Sequence, residues 1–163
     1  MSAGRLATRF GGPEGSPGFL LWQVTNRWQA AQRRTLRPFG LTHVQFVILA
    51  WLTWAAPEGP VTQQQLADGA ALDKMMTSQV LRTLERRGLA ERVADPRDRR
   101  ARTVSATDAG RGLAGAANRA VEACDVTFFG DAAADLVPLL RRLTGARDDV
   151  PAATAPSSPR RTP

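Results

Sequence analysis

Apolar residues recur at helical spacing near the start of the chain. They are separated by three or four positions and lie on one face of a helix predicted from residue 18 to about 37. The residues that form this face are Leu21, Val24, Trp28 and Ala31. Pro38 and Gly40 follow at once, and both residue types end helices.

A second helix is predicted in the segment THVQFVILAWLTWAA, residues 42–56, with Thr42 as its N-terminal cap. Its apolar residues surround the helix almost completely. Such a helix must be buried on most sides, either within the monomer or at a subunit interface.

Two further helices follow a Pro–Gly-rich turn at residues 57–60. Thr62 and Gln65 have the spacing of a capping box for a third helix that runs to about Asp68. After the break GAAL, Asp73 can cap a fourth helix that ends at Gly88. Two helices joined by about four residues have the arrangement of a helix-turn-helix.

An arginine-rich segment, DPRDRR at 95–100, lies between two short alternating segments, LAERVA and ARTVSA. We predict that these form two strands of a hairpin with the arginines at its tip. A long Ala-rich helix then starts at Thr107–Asp108 and ends near residue 129, and a last helix covers about 132–145. The predicted fold is therefore mainly α with a small β-hairpin wing: a winged helix-turn-helix with additional helices on both sides.

Composition changes this picture only at the ends. Residues 1–17 and 146–163 are rich in Gly, Pro, Ser or Ala, so we expect a flexible N-terminal segment and a disordered tail around one domain at 18–145. No apolar run reaches the roughly 18 residues of a membrane span. The N-terminus has no signal-peptide core, and Cys124 is the single cysteine. These features predict a soluble cytoplasmic protein.

The net charge of +7 favours a polyanionic partner such as nucleic acid. On a wheel of the fourth helix, Met76, Val80, Leu81 and Leu84 are predicted to face the core. The opposite face is predicted to bind DNA because Arg and Gln can make bidentate contacts with bases. Its residues are Lys74, Met75, Ser78, Gln79, Arg82 and Arg86. The alternative is a solvated amphipathic face, which the adjacent arginine-tipped hairpin disfavours.

The wing is predicted to lie along the DNA backbone and reach a minor groove, where a guanidinium is attracted by the focused negative potential. Arg97, directly after Pro96, is the predicted inserted residue, and Arg99 and Arg102 are predicted phosphate contacts. Carboxylates do not suit DNA contacts, so we expect them to pair with arginines and fix the shape of the loop. The residues given this structural role are Asp95, Asp98 and Arg100. A solvated charged turn is the alternative.

The sequence resembles the multiple antibiotic resistance regulator (MarR) family of bacterial transcription factors. The matching segments are LTHVQFVIL at 41–49, TQQQLAD at 62–68, LDKMMTSQVLRTLERRGL at 72–89, DPRDRR at 95–100 and SATDAG at 105–110. The resemblance implies a homodimer formed by the N- and C-terminal helices, with each winged domain on half of a palindromic operator. It also implies a repressor released by a small, often aromatic, ligand bound between the dimer helices and the DNA-binding lobe.

Aromatic residues are the candidates for lining such a ligand pocket, although aromatic residues at helical spacing are more often core. The candidates are Trp22, Trp28, His43, Phe46 and Trp51, with Trp54 beside them. Cys124 is either an oxidation sensor or, as we favour, a buried apolar thiol.

An enzyme is disfavoured because the single His and single Cys are far apart in sequence and no Gly-rich phosphate loop is present. No Cys/His cluster suits zinc, and we expect no cofactor. The remaining rival is a winged-helix protein-interaction module that no longer binds DNA.

Overall fold

A computed structural model describes residues 7–95 and 102–145. Helices dominate this part of the chain, and three short strands lie among them. The helices are Pro17–Leu36 (α1), His43–Ala55 (α2), Gln63–Gly69 (α3), Lys74–Arg86 (α4), Asp108–Phe129 (α5) and Ala133–Thr144 (α6). The strands are Val61–Thr62 (β1), Ala90–Ala94 (β2) and Arg102–Ala106 (β3). A short 3-10 helix, Pro13–Gly15, precedes α1.

Local capping bonds start α2 and α3. The Thr42 hydroxyl accepts from the Gln45 N–H at 3.2 Å, and the Gln45 side-chain oxygen accepts from the Thr42 N–H at 3.0 Å. The same reciprocal pair joins Thr62 and Gln65 at 3.1 and 2.8 Å, which confirms the predicted capping box. Each box satisfies two backbone donors that have no partner within the helix.

The predicted hairpin is confirmed, and a third strand extends it. β2 and β3 pair antiparallel from Ala90↔Ala106 to Ala94↔Arg102. β1 pairs with the other edge of β3 through Val61↔Val104, so the strand order is β1-β3-β2. The segment before α3 is thereby fixed to the wing.

The core lies between α2, α4 and the sheet. Ile48 and Leu49 of α2 are fully buried, and Leu81 and Leu84 of α4 pack in the same apolar cluster. The predicted burial of α2 is therefore confirmed for most of its length. At the C-terminal end Trp54 is 72% exposed within the single chain, so for this residue the alternative of a subunit interface stays a prediction.

α1 is covered along only part of its predicted apolar face. Leu21 and Val24 are exposed, whereas Trp28 and Ala31 are half-buried and Leu36 is fully buried. The C-terminal half of α1 thus packs on the core cluster, and the N-terminal half presents apolar side chains to solvent.

The start of α5 is anchored to the end of α4. The Thr107 hydroxyl donates to the Gly88 carbonyl at 2.7 Å and accepts from the Gly110 N–H at 3.1 Å. Gly88 itself has a φ of 67°, a left-handed conformation that favours glycine after a helix. At Gly110 an added Cβ would stand 1.9 Å from the Leu89 carbonyl oxygen. Glycine is therefore required here by close backbone contact.

Among the described residues, 129–145 belong to a second compact unit and those up to 128 belong to the first. α6 belongs to the second unit, contains Pro138 and carries exposed apolar side chains at Val137, Leu139, Leu140 and Leu143.

Within the described ranges, no single helix is long and apolar enough to span a membrane. α1 and α2 reach the required length and apolarity only when they are taken together, and that pair is bent by 73°.

Candidate DNA-binding surface

One face of α4 is fixed firmly to the protein. The Asp73 carboxylate accepts from the backbone N–H groups of Met75 and Met76 at 2.8 and 3.0 Å, which confirms the predicted cap. Leu81 and Leu84 are fully buried on the same side of the helix. The direction in which the opposite face points is therefore determined by buried contacts.

The core face differs from the prediction at one position. Met76, which we expected to face the core, is 45% exposed, and Thr77 is fully buried in its place. The arc centred on Leu81 and Leu84 includes position 77 and leaves position 76 at its edge. The Thr77 hydroxyl donates to the Asp73 carbonyl at 2.8 Å, so this polar side chain is buried without an unsatisfied group.

The outward face is the one predicted to read DNA. Its side chains are exposed except for Ser78, which is half-buried. The exposed members are Lys74, Met75, Gln79, Arg82 and Arg86. Polar and cationic side chains, together with the apolar Met75, thus lie along a single open helix surface.

The cationic side chains on this face are not neutralised within the described ranges. The ion pairs found there join Arg92 to Glu85 and Arg111 to Asp108, so none involves Lys74, Arg82 or Arg86. Arg86 does donate a hydrogen bond, to the uncharged hydroxyl of Thr83 at 3.1 Å. The positive charge of the face therefore remains available to an anionic partner.

The wing is tied to α4 by charge. Arg92 on β2 lies 2.7 Å from Glu85 on α4, measured from Nε to Oε1. The Glu85 oxygen has no aligned hydrogen-bond donor, so the contact is an ion pair by distance rather than by hydrogen-bond geometry. This pair spans the helix and the strand and helps to hold their relative orientation.

The predicted wing contacts fall mostly outside the described residues. This applies to Arg97, Asp98, Arg99 and Arg100. Arg102 is placed in β3, paired with Ala94, and Asp95 directly follows β2 and is half-buried. The DNA-contact roles of Arg97, Arg99 and Arg102 and the structural roles of Asp95, Asp98 and Arg100 stay predictions.

The candidate ligand-pocket residues do not gather in one cavity. Trp22 is 64% exposed and stacks on Phe19 with ring centroids 6.1 Å apart, whereas Phe46 is part of the buried core. Trp51 lines a cleft together with Trp54. The remaining two candidates, Trp28 and His43, are in contact, edge to face, with centroids 4.9 Å apart.

That contact belongs to a polar cluster that was not predicted from the sequence. Asp125 of α5 accepts from the Trp28 indole N–H at 2.7 Å and from the Gln32 amide at 2.6 Å. Burial lowers the pKa of the His43 imidazole below its usual 6.5, and the charge of Asp125 opposes this shift. The available signal was the four-residue spacing of Trp28 and Gln32, which puts both on one helix face.

A cleft of about 540 Å³ opens beside this cluster, between the end of α1 and the start of α2. Arg33, Arg37 and His43 are among the residues that line it. The turn at its edge is bound to α4, since Arg87 donates to the Gly40 carbonyl at 3.0 Å. The two arginines were not singled out from the sequence.

Comparison with known proteins agrees with this arrangement. The MarR family model matches residues 41–101. The HTH-type transcriptional regulator YdcH of Bacillus subtilis (strain 168) is 44% identical over 123 residues, covering 75% of this chain and 84% of that protein.

Two solved structures of CouR have the same fold, and one of them is the crystal structure of CouR from Rhodococcus jostii RHA1 with p-coumaroyl-CoA. CouR bound to p-coumaroyl-CoA is 27% identical with a TM-score of 0.72, covering 84% of this chain and 97% of CouR. The CouR repressor bound to a 23-mer DNA duplex is 26% identical with a TM-score of 0.69, covering 87% of this chain and all of that one (100%). This chain has the helix-turn-helix followed by the β2–β3 strand pair, and it is similar to YdcH over most of its length. It therefore belongs to the MarR family of winged helix-turn-helix transcriptional regulators.

Proposed function

We propose that this protein is a homodimeric, non-enzymatic repressor that acts in the cytoplasm by binding a palindromic operator. The observation that carries the proposal is the exposed face of α4, whose opposite face is held by buried leucines. Gln79 and Arg82 on this face have side chains suited to bidentate contacts with adenine and guanine. Half-sites about one helical turn apart would put two such helices in successive major grooves.

Exposed apolar surface supports the homodimer. Leu21 and Trp22 on α1 are 57% and 64% exposed, and α6 carries a further set of exposed leucines. Exposed apolar surface on α1 and on α6, each taken by itself, is of the kind that marks a protein interface. A charge at the centre of the α1 patch, Leu21→Asp, should shift the sedimentation coefficient toward the monomer, whereas deletion of residues 151–163 should leave the dimer intact.

We propose that a small aromatic ligand with an anionic group releases the DNA. The cleft between α1 and α2 supports this, because its arginines suit a carboxylate or phosphate and Trp28 packs against His43 at its margin. CouR, a structural neighbour, binds p-coumaroyl-CoA, an aromatic acyl thioester of this general kind. The Arg87–Gly40 hydrogen bond supplies a physical link from the rim of the cleft to the end of α4.

Selection of bound fragments from the source genome, followed by binding at increasing salt, tests the proposal. A repressor of this type enriches a small set of inverted repeats, and its affinity falls steeply as salt rises because each neutralised phosphate releases counterions. The rival, a winged-helix protein-interaction module, predicts no enriched repeat and salt-insensitive capture of a protein partner. That outcome would overturn the proposal.

A further inference from the structure

Met75 is an apolar side chain in an otherwise polar and cationic surface. It is 79% exposed, more than any other large apolar side chain in the described residues. Its neighbours on the helix face are Lys74, Ser78, Gln79 and Arg82. A methionine in this position contributes almost nothing to the core, so its role depends on what the α4 face meets.

The position of Met75 is well fixed. Asp73 accepts from its backbone N–H at 2.8 Å, so the first turn of α4 does not fray freely. Met75 lies one turn before Gln79 and two turns before Arg82, on the same side of the helix. In helix-turn-helix proteins it is the N-terminal part of the recognition helix that reaches the base edges.

A protein partner is a poor match for this surface. Specific protein interfaces have an apolar centre, and the exposed methionine here is surrounded by polar and cationic groups. Duplex DNA offers the complementary arrangement: phosphates for the cations and, on the major-groove edge of thymine, a single apolar group, the C5-methyl.

We infer that Met75 reads the C5-methyl group of a thymine in the major groove and is therefore a specificity-determining residue of the operator contact. This inference rests on the proposed DNA-binding function. The thioether side chain is flexible and polarisable, which allows it to cover a methyl group without a fixed hydrogen-bond geometry. Recognition by Met75 discriminates thymine from a pyrimidine that lacks the methyl group.

The test uses duplexes that the wild-type protein itself selects from a random pool. In each selected duplex, every thymine is replaced in turn by deoxyuridine, which removes only the methyl group and keeps the base pair. We expect one thymine in each half-site at which this change weakens binding by about fourfold, the value for one buried methyl-sized contact. Met75→Ala should weaken binding to the thymine duplex by at least as much.

The decisive comparison combines the two changes. If Met75 contacts the methyl group, the Ala variant binds the thymine and deoxyuridine duplexes equally well, so the two changes are not additive. Met76→Ala, the matched control on the neighbouring position, should keep the fourfold difference. Thermal unfolding of both variants checks that the fold is retained, which is expected for exposed side chains replaced by a good helix former.

Each outcome decides the question. If the pool yields no enriched duplex, the proposed function fails and the inference fails with it. If a duplex is enriched but no deoxyuridine replacement weakens binding, or Met75→Ala remains sensitive to the replacement, the inference alone is overturned. Loss of the sensitivity in Met76→Ala instead would likewise overturn the assignment to Met75.

Discussion

The Asp125 carboxylate accepts a hydrogen bond from the Trp28 indole N–H at 2.7 Å, across 97 positions of the sequence. The bond joins α5 to α1, and Gln32 donates to the same carboxylate oxygen. Because Gln32 is fully buried, its amide depends on this acceptor. A single carboxylate on α5 thus accepts hydrogen bonds from two side chains of α1 where these helices pack together.

Asp125→Ala is expected to lower the free energy of unfolding by about 1–3 kcal/mol, because it leaves the buried Gln32 amide without a partner. Asp125→Asn keeps an acceptor oxygen, so it should lower the free energy of unfolding by less than Asp125→Ala. Chemical denaturation of the two variants measures the difference. Equal stabilities of Ala and Asn variants would show that the hydrogen bonds to Asp125 do not stabilise the fold.

His43 should make the stability depend on pH. Burial lowers its pKa below 6.5, so the folded protein binds fewer protons than the unfolded chain as the pH falls through that value. The free energy of unfolding should therefore decrease from pH 6.5 downward until the folded-state pKa is reached, and level off below it. NMR titration of the imidazole locates the folded-state pKa.

The charge of Asp125 opposes that shift, so Asp125→Asn should lower the pKa of His43 further. His43→Gln provides the control and should remove this part of the pH dependence. A His43 pKa above 6.5 in the wild-type protein would contradict the explanation by burial.

Gln79→Ala and Arg82→Ala should each reduce discrimination at particular operator positions, by about 1–3 kcal/mol for a lost bidentate contact. Both side chains are exposed, so thermal stability should remain close to that of the wild type. Binding to a panel of single-base operator variants measures the change. Wild-type footprints and preferences in both variants would show that this face does not read bases.

Arg97→Ala is predicted to weaken DNA binding without lowering the melting temperature. The reason is the sequence pattern of an arginine directly after Pro96 at the wing, which suits insertion in a narrow minor groove. The loss of affinity should be larger for operators with A·T-rich flanking sequence than for operators with G·C-rich flanking sequence. A variant that melts earlier yet binds normally would assign Arg97 a structural role instead.

Gly110→Ala should destabilise the protein by about 1–3 kcal/mol or more, because the new Cβ would overlap the Leu89 carbonyl oxygen and force the backbone apart. Gly112→Ala is the matched control in the same helix, where an added Cβ has no neighbour within 4 Å. The control should stabilise the protein by about 0.4–1 kcal/mol, because alanine has less conformational freedom than glycine in the unfolded chain. Similar melting temperatures of the two variants would contradict the close contact at Gly110.

Much of the fold could be predicted because its signals are local. The capping residues Thr42, Thr62 and Asp73 bond to groups two or three positions away, so they mark helix starts in the sequence itself. The hairpin strands were equally visible from their alternation. Met76 was misplaced because a wheel gives angles but not the position of the buried arc, which the packing of Thr77 beside Leu81 determines.

The sequence by itself determined the order of the elements, the helix-turn-helix and the family, since these follow from short-range periodicity, caps and motifs. Only the tertiary structure decided which groups meet, namely Asp125 with Trp28 and Gln32, and Arg87 with Gly40. It also decided that Met76 is exposed and Thr77 is buried. The physical reason is that these contacts join positions far apart in the chain, or depend on how one helix is rotated against the core. No local pattern specifies either of them.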